Sequence, residues 1–183
     1  MRKSLITSLA LLAFCSQLEA TEVDILTSQG TIRVDLKDEA APKTVENFLR
    51  YADEGFYDET IFHRVIRGFM VQGGGFTTDL ERKTTHQAVA YEGDNGLANN
   101  RGTLAMARTQ DPNSATSQFF VNQVDNAFLN DGSRGAAGYT VFGEVVTGMD
   151  IVDAISAVPT SSVGPYQNVP TTPVVIKSIV RVN

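Results

Sequence analysis

Apolar and polar residues alternate on both sides of a short turn near the start of the chain. Residues 23–28 and 31–36 follow this alternation, and Gln29 and Gly30 separate the two runs. A period of two is typical of a strand with one buried face, and a short glycine-containing turn joins two such strands. The pattern therefore predicts an amphipathic β-hairpin.

The next segment changes to a helical period. Residues 41–52 carry a proline near their start and apolar side chains at the i, i+3, i+4 and i+7 spacing, and Gly55 follows them. Proline suits the first turn of a helix and glycine suits its end. We expect one helix here that buries Val45, Phe48, Leu49 and Ala52. A second, shorter helical pattern follows Gly148.

Short apolar runs bounded by Gly, Pro, Asn or Asp make up most of the remaining chain. They occupy residues 61–66, 69–72, 103–107, 118–122, 139–146 and 174–182, whereas residues 77–101 form a polar surface excursion. With the hairpin, the runs give eight strands in one domain. Closing a sheet removes its exposed edges, and side chains fill so narrow a barrel. We therefore expect a mainly β fold, a closed eight-stranded antiparallel β-barrel capped by two α-helices, with any groove on its outer face.

The first twenty residues follow the order of a secretory signal. A basic start precedes the apolar run 5–14, and a polar stretch ends at Ala20, after which we expect cleavage. A membrane anchor is the alternative, but the run is shorter than the roughly 20 apolar residues that cross a bilayer. Lipid attachment at Cys15 is disfavoured because Phe14 stands where such signals need a small residue. Residues 1–20 are thus a predicted signal peptide, and residues 21–183 the mature domain.

Composition narrows the chemistry of this mature domain. It would hold 13 basic and 20 acidic residues, a net charge of −7, which gives no electrostatic reason to bind nucleic acid or an anionic membrane. The only cysteine leaves with the signal, and no nucleotide loop or serine elbow is present. The two histidines, His63 and His86, lack metal-ligand spacing, and a structural role is favoured for His63. We expect no metal and no cofactor. The triple glycine 73–75 lacks the residues of a phosphate loop and indicates tight turning.

Three unusual segments agree in order and spacing with one known family. They are FHRVIRGFMVQGGGF at 62–76, RGTLAMAR at 101–108 and SATSQFF at 114–120. Together they closely resemble the cyclophilin family of peptidyl-prolyl cis-trans isomerases, and the likeness extends from about Val23 to Val182. The resemblance implies an isomerase domain that accelerates rotation about Xaa-Pro bonds in unfolded or partly folded proteins.

One residue suffices for this chemistry. Rotation of a peptide bond is opposed by about 18–20 kcal/mol because the nitrogen lone pair is shared with the carbonyl. A guanidinium that donates a hydrogen bond to the prolyl nitrogen acts mainly in the twisted transition state, where that lone pair is localised. We predict this role for Arg64.

The resemblance assigns the other site residues. It implies a catalytic set of Arg64, Phe69, Gln72, Phe120 and Tyr139, and a substrate-binding set of Met70, Ala107, Arg108, Gln118, Phe128 and Leu129. The apolar members would hold the proline ring, while Ala107 and Arg108 would offer main-chain groups to an extended peptide. Gln72 would hold the substrate backbone or orient Arg64, and Gln118 would support the loop.

Two positions depart from the better-known eukaryotic pattern. Phe128 stands where many members carry Trp, and Tyr139 stands where they carry His, as in bacterial periplasmic cyclophilins. Phe128 lacks the indole N–H that cyclosporin uses, so we expect weak cyclosporin binding. The loop 127–138 is also longer than in compact members. We expect a monomer in the periplasm.

Two other classes of function fit these residues less well. A cyclophilin-like module that binds proline-containing peptides without turnover is the main alternative, but pure binding would not need Arg64 at the rotating bond. A secreted hydrolase lacks a nucleophile and a base.

Overall fold

The computed structural model describes residues 21–182, so the predicted signal peptide lies outside the described residues. Two α-helices, α1 (Pro42–Asp53) and α2 (Met149–Ser156), accompany the strands, with short 3₁₀ turns at Pro112–Ser114, Ala127–Leu129 and Ser133–Gly135. The strands are β1 (Glu22–Thr27), β2 (Thr31–Leu36), β3 (Thr60–Ile61), β4 (Arg64–Ile66), β5 (Met70–Gly73), β6 (Thr103–Met106), β7 (Phe119–Asn122), β8 (Val141–Thr147), β9 (Thr160–Val163), β10 (Tyr166–Pro170) and β11 (Val175–Arg181).

Nine of these strands form one antiparallel sheet in the order β3-β11-β1-β2-β8-β6-β7-β5-β4. The two end strands, β3 and β4, belong to one chain segment and are separated only by Phe62 and His63. The sheet therefore curls until its edges meet in that segment. The predicted mainly β fold with two helices is confirmed, but a closed eight-stranded ladder overstates it, since β3 and β4 together occupy the place of one strand.

Backbone contacts hold the two edges together at this seam. The Ile61 amide donates to the Phe76 carbonyl at 3.0 Å, and the Phe62 amide donates to the Val174 carbonyl at 2.9 Å. A Cβ on Gly73 would lie only 2.9 Å from the Ile61 carbonyl oxygen. Glycine is needed there because the seam approaches the β5 backbone so closely. The first residue of the triple glycine thus serves close packing, a use the prediction of tight turning did not include.

The barrel interior is a continuous apolar core. Helix α1 closes one end with Val45, Phe48, Leu49 and Ala52, the four residues predicted to be buried. The Phe48 ring meets the Phe119 ring edge-on, with centroids 5.5 Å apart. Residues along each strand alternate between this interior and the outside. On β7, Phe119 and Val121 face the core while Phe120 belongs to a separate outer cluster.

Residues 77–101 contain no helix or strand, as predicted, although side-chain bonds fix them to the barrel. The Glu92 carboxylate accepts hydrogen bonds from the Thr44 amide at 2.8 Å and the Thr44 hydroxyl at 2.7 Å. A carboxylate at this position satisfies free N–H groups at the start of α1, which has no local side-chain cap. The excursion is therefore anchored through the helix.

The hairpin of β9 and β10 was not predicted. Its strands pair only with each other within the described chain and stand outside the nine-stranded sheet. Strand β9 is exposed at every position and β10 buries only Val169 and Pro170, so neither shows the alternation that marks other strands. Within residues 21–182 neither helix has the length and apolar content needed to cross a bilayer.

Candidate active site

A small cavity of about 170 Å³ lies on the outer face of the barrel. The nine residues that line it are Arg64, Phe69, Met70, Gln72, Ala107, Arg108, Phe120, Leu129 and Tyr139. All nine are among the eleven predicted site residues. The remaining two, Gln118 and Phe128, contact members of this set from outside the lining.

Strand register explains why these side chains meet. Arg64 on β4 is the cross-strand partner of Gln72 on β5, and Gln72 in turn is opposite Phe120 on β7. Directly opposed residues project from the same face of a sheet. Met70 lies two residues before Gln72 and so shares that face. Three adjacent strands thereby bring one cation, one amide and two apolar side chains together.

Arg64 is half-buried beside the apolar cavity. Its Nη1 lies 3.4 Å from Gln72 Oε1 and 3.9 Å from the Met70 sulfur, and its guanidinium carbon is 5.9 Å from the Phe69 ring centroid. Burial lowers the pKa of Arg64, but an arginine stays charged at physiological pH. In the described part of the chain, Arg64 forms no salt bridge. Its remaining N–H groups are therefore available to a substrate.

Gln72 links Arg64 to the neighbouring loop. Its Oε1 accepts from Arg64, while its Nε2 donates to Gln118 Oε1 at 3.0 Å. The amide of Gln72 therefore uses both ends inside the protein. This geometry favours the predicted alternative in which Gln72 orients Arg64, with Gln118 supporting Gln72.

Aromatic rings form two walls of the cavity. Tyr139 meets Phe120 nearly perpendicularly, with ring centroids 5.6 Å apart. On the other side Phe128 stacks on Phe69 at 5.6 Å and is 46% exposed. Phe128 therefore extends the apolar wall outward instead of lining the cavity.

Arg108 lines the cavity, and its side chain also bonds the loop that precedes Tyr139. Its Nε donates to the Gly138 carbonyl at 2.9 Å, its Nη2 donates to the Ala137 carbonyl, and its guanidinium covers the Tyr139 ring at 4.7 Å. These contacts hold the loop that carries Tyr139. The Ala107 amide already donates to the Gln118 carbonyl at 2.9 Å. Of the main-chain groups predicted to meet a peptide, the Ala107 N–H is thus already used.

Comparison with known proteins agrees with this geometry. The chain matches the family described as cyclophilin type peptidyl-prolyl cis-trans isomerase/CLD over residues 22–181. The chain belongs to the cyclophilin family. It is accordingly a peptidyl-prolyl cis-trans isomerase.

Bacterial cyclophilins are similar along most of the chain. Peptidyl-prolyl cis-trans isomerase A of Dickeya dadantii (strain 3937) is 54% identical over 178 residues, which cover 96% of this chain and 93% of that protein. Peptidyl-prolyl cis-trans isomerase B of Escherichia coli (strain K12) is 54% identical over 155 residues, covering 84% and 94%.

A solved cyclophilin shares the fold. The crystal structure of a cyclophilin type peptidyl-prolyl cis-trans isomerase of Cryptosporidium parvum superposes with a TM-score of 0.73 at 27% identity, covering 90% of this chain and 99% of that one. A second structure of the same protein was determined in the presence of the dipeptide Ala-Pro, with a TM-score of 0.71 at 28% identity, covering 88% and 99%.

Three asparagines support the cyclophilin pocket and were missed in the sequence. Asn126 Nδ2 donates to the Phe69 carbonyl at 3.0 Å and to Asn122 Oδ1 at 2.7 Å. Asn99 Nδ2 donates to the Leu129 carbonyl at 3.2 Å. All three are buried, and buried polar groups need such partners. They hold the backbone of two pocket residues, Phe69 and Leu129, in place. The sequence did not predict them because no local pattern indicates that an asparagine is buried.

His63 lies between β3 and β4, beside the cyclophilin site but outside its cavity. Its ring packs on Phe76 with centroids 4.5 Å apart, and its buried Nδ1 has no hydrogen-bond partner among the described residues. Burial, together with the charges of Arg64 and Arg82, lowers its pKa to about 4. His63 is therefore neutral at physiological pH. Residues 21–182 contain no group of three or more His, Cys, Asp or Glu side chains placed to hold a metal ion.

Proposed function

We propose that this isomerase acts on exposed Xaa-Pro segments of newly exported, partly folded proteins in the periplasm. The signal-like order of residues 1–20 supports export. The open position of the pocket on the outer barrel face supports a flexible, extended substrate, because such a chain reaches a surface groove without unfolding the enzyme. No cofactor is required for the reaction proposed below.

In the proposed mechanism the proline ring occupies the apolar cavity. Met70, Phe120 and Leu129 are buried there, and the ring of Tyr139 crosses that of Phe120. Burial of the proline ring holds one side of the peptide bond while the other side turns. The size of the cavity suits this occupant, because about 170 Å³ has room for a five-membered ring.

Arg64 supplies the catalytic interaction. As the bond twists, the lone pair returns to the prolyl nitrogen, which becomes a hydrogen-bond acceptor. A guanidinium N–H donates to that nitrogen in the transition state and hardly at all to the planar amide, so the interaction lowers the barrier instead of tightening ground-state binding. Gln72 keeps the guanidinium facing the cavity through its 3.4 Å contact.

A single observation carries this proposal: a charged, half-buried Arg64 without an ionic partner in the described residues borders an apolar pocket. Partial burial of this cation has a free-energy cost, because the charged group is removed from water. In a domain that only bound proline, that cost would serve no function. The binding-module alternative is therefore disfavoured, although it predicts a distinct result in the experiment below.

The test follows cis-to-trans exchange of an Xaa-Pro peptide with residues 21–183. We expect strong acceleration by the wild type, a loss of about two orders of magnitude in Arg64→Ala, and no comparable loss in Arg67→Ala. Arg67 is the matched control because it is an exposed arginine three residues away that does not line the cavity. Peptide binding without acceleration by the wild type would instead support the binding module.

Further proposals concern partners. The acidic composition supports an enzyme that does not bind nucleic acid or anionic membranes, and a monomer is the default state. We also propose weak cyclosporin binding, because the partly exposed ring at the pocket rim is Phe128, which has no N–H donor.

A further inference from the structure

A second cavity adjoins the proline pocket and shares Arg64 with it. Its volume is about 420 Å³, and its described lining consists of His63, Arg64, Phe76, Gln118, Pro165, Tyr166, Gln167 and Asn168. Four of these residues belong to the β9–β10 hairpin or the turn within it. The unpredicted hairpin therefore forms one wall of a cavity that opens beside the catalytic residue.

The hairpin wall is held in a defined conformation. Tyr166 packs edge-on against Phe76 with ring centroids 5.2 Å apart. Between Tyr166 and Val169 the strand register shifts, and Asn168 has a φ of 59°. Asparagine tolerates this left-handed conformation better than most residues, and such irregularities redirect side chains out of the ladder. Gln167 and Asn168, which both line the cavity, carry amide side chains.

The charge of this cavity contrasts with that of the whole chain. The protein carries a formal net charge of −6, but no Asp or Glu occurs among the described lining residues. Arg64 is the charged group of the lining, and Arg82 is close enough to act electrostatically on His63. The imidazole itself is neutral. The surroundings thus favour hydrogen-bond acceptors and negative charge over a cation.

A residue next to the proline of a bound substrate is close enough to occupy this cavity. An extended peptide advances about 3.3 Å per residue, so residues flanking a bound proline lie within a few ångströms of the pocket rim. Because Arg64 lines both cavities, a peptide whose proline occupies the pocket has a flanking residue within reach of the second cavity.

We propose that the second cavity is a subsite for the side chain of a residue flanking the substrate proline, and that it prefers Glu, Asp, Gln or Asn to Lys or Arg. This inference rests on the proposed function. The Gln167 and Asn168 amides donate to the acceptor oxygen, and the guanidinium has five N–H donors, enough to attract a carboxylate while one N–H serves the prolyl nitrogen. A cationic side chain would meet Arg64 without a compensating carboxylate in the lining.

The experiment measures kcat/KM for peptides in which one flanking position at a time, before or after proline, is Glu, Gln, Ala or Lys. We expect the wild type to favour Glu over Lys about fivefold at one of these positions. Asn168→Asp adds a carboxylate to the lining, and Asp also accepts the left-handed backbone. It should lower that Glu/Lys ratio by about tenfold, and Gln167→Glu should act in the same direction.

Ser162→Asp is the matched control, because it places the same charge on the same hairpin at an exposed residue outside the lining. Circular dichroism confirms folding of each variant. A Glu/Lys ratio that is unchanged in both lining variants, or that changes equally in Ser162→Asp, would overturn the subsite while leaving isomerisation intact. Failure of the wild type to accelerate any peptide would instead overturn the proposed function, and the subsite with it.

Discussion

Phe119 and Phe120 are neighbours on one strand, yet they belong to different regions of the molecule. Phe119 is fully buried inside the barrel, where its ring meets those of Phe48 and Tyr57. Phe120 is 4% exposed on the outer face, where it meets Tyr139 and lines the proline cavity. Two identical side chains with nearly equal burial thus serve the fold and the site respectively.

The two regions differ in the side chains that surround them. The inner cluster is built from buried hydrophobic residues of the strands and both helices, whereas the outer cluster borders Arg64 and Gln72. Its cover comes from a loop that carries Leu129 and Tyr139, not from a second sheet. Burial alone therefore does not separate a structural phenylalanine from a functional one in this barrel. A neighbouring cation and an open cavity distinguish the functional phenylalanine from the structural one.

Truncating each phenylalanine tests this comparison with the largest expected effect. Phe119→Ala should lower the free energy of unfolding by about 3–5 kcal/mol, because it leaves a cavity in the closed core. Phe120→Ala should cost less stability, since its ring already borders an open cavity, but should reduce kcat/KM at least about tenfold. Urea unfolding and the exchange assay measure the two quantities. Equal stability losses, with activity retained in Phe120→Ala, would contradict the division.

His63, which lies between β3 and β4, leads to a prediction about how stability depends on pH. The pKa of His63 is about 4 in the folded protein and about 6.5 when unfolded, so the unfolded chain binds more protons between these values. Stability must then fall as pH decreases through this window. His63→Gln should remove about 2–3 kcal/mol of the loss between pH 7.5 and pH 4.5.

Urea unfolding at the two pH values measures this difference for the wild type and the variant. His86→Gln is the matched control, because His86 is an exposed histidine that pairs with Glu54 on the surface. Parallel pH dependence of the wild type and His63→Gln would show that His63 is not buried in its neutral form.

The smallest expected effect is a change in cyclosporin affinity on substitution of Phe128, at the rim of the proline cavity. Phe128→Trp adds an indole N–H at a half-exposed ring that already stacks on Phe69. We expect cyclosporin affinity to rise about tenfold, about 1.4 kcal/mol, with little change in stability. Titration of both proteins with cyclosporin tests this. Nanomolar binding by the wild type would refute the proposed weak affinity.

The sequence predicted regions with regular periodicity and the parts of the site that lie in recognisable segments. Helix α1 was predicted because its apolar spacing matches a helix that covers a core. The resemblance identified Arg64, Gln72 and Phe120, and strand register explains why they meet. Nine of the eleven predicted residues line the cavity.

The rest depends on contacts between distant parts of the chain. The Arg108 side chain bonds carbonyls about thirty residues away, and Asn126 bonds the Phe69 carbonyl across 57 residues. Strand β9 is exposed at every position and β10 buries only Val169 and Pro170, so neither strand carries a periodic signal. The close approach of Gly73 to the Ile61 carbonyl, beside the break between β3 and β4, is likewise a contact that no local pattern reveals.

The most direct test of the central claim separates catalysis from binding at Arg64. Exchange spectroscopy gives the catalysed rate, and titration gives the peptide Kd, for the wild type, Arg64→Lys and Arg64→Ala. We predict that kcat/KM falls about 100-fold in Arg64→Ala while Kd changes less than about threefold, because the guanidinium bonds the prolyl nitrogen only in the twisted state. Arg64→Lys should recover part of the rate. Equal losses in rate and affinity would contradict the account, since Arg64 would then bind the ground state and the transition state alike.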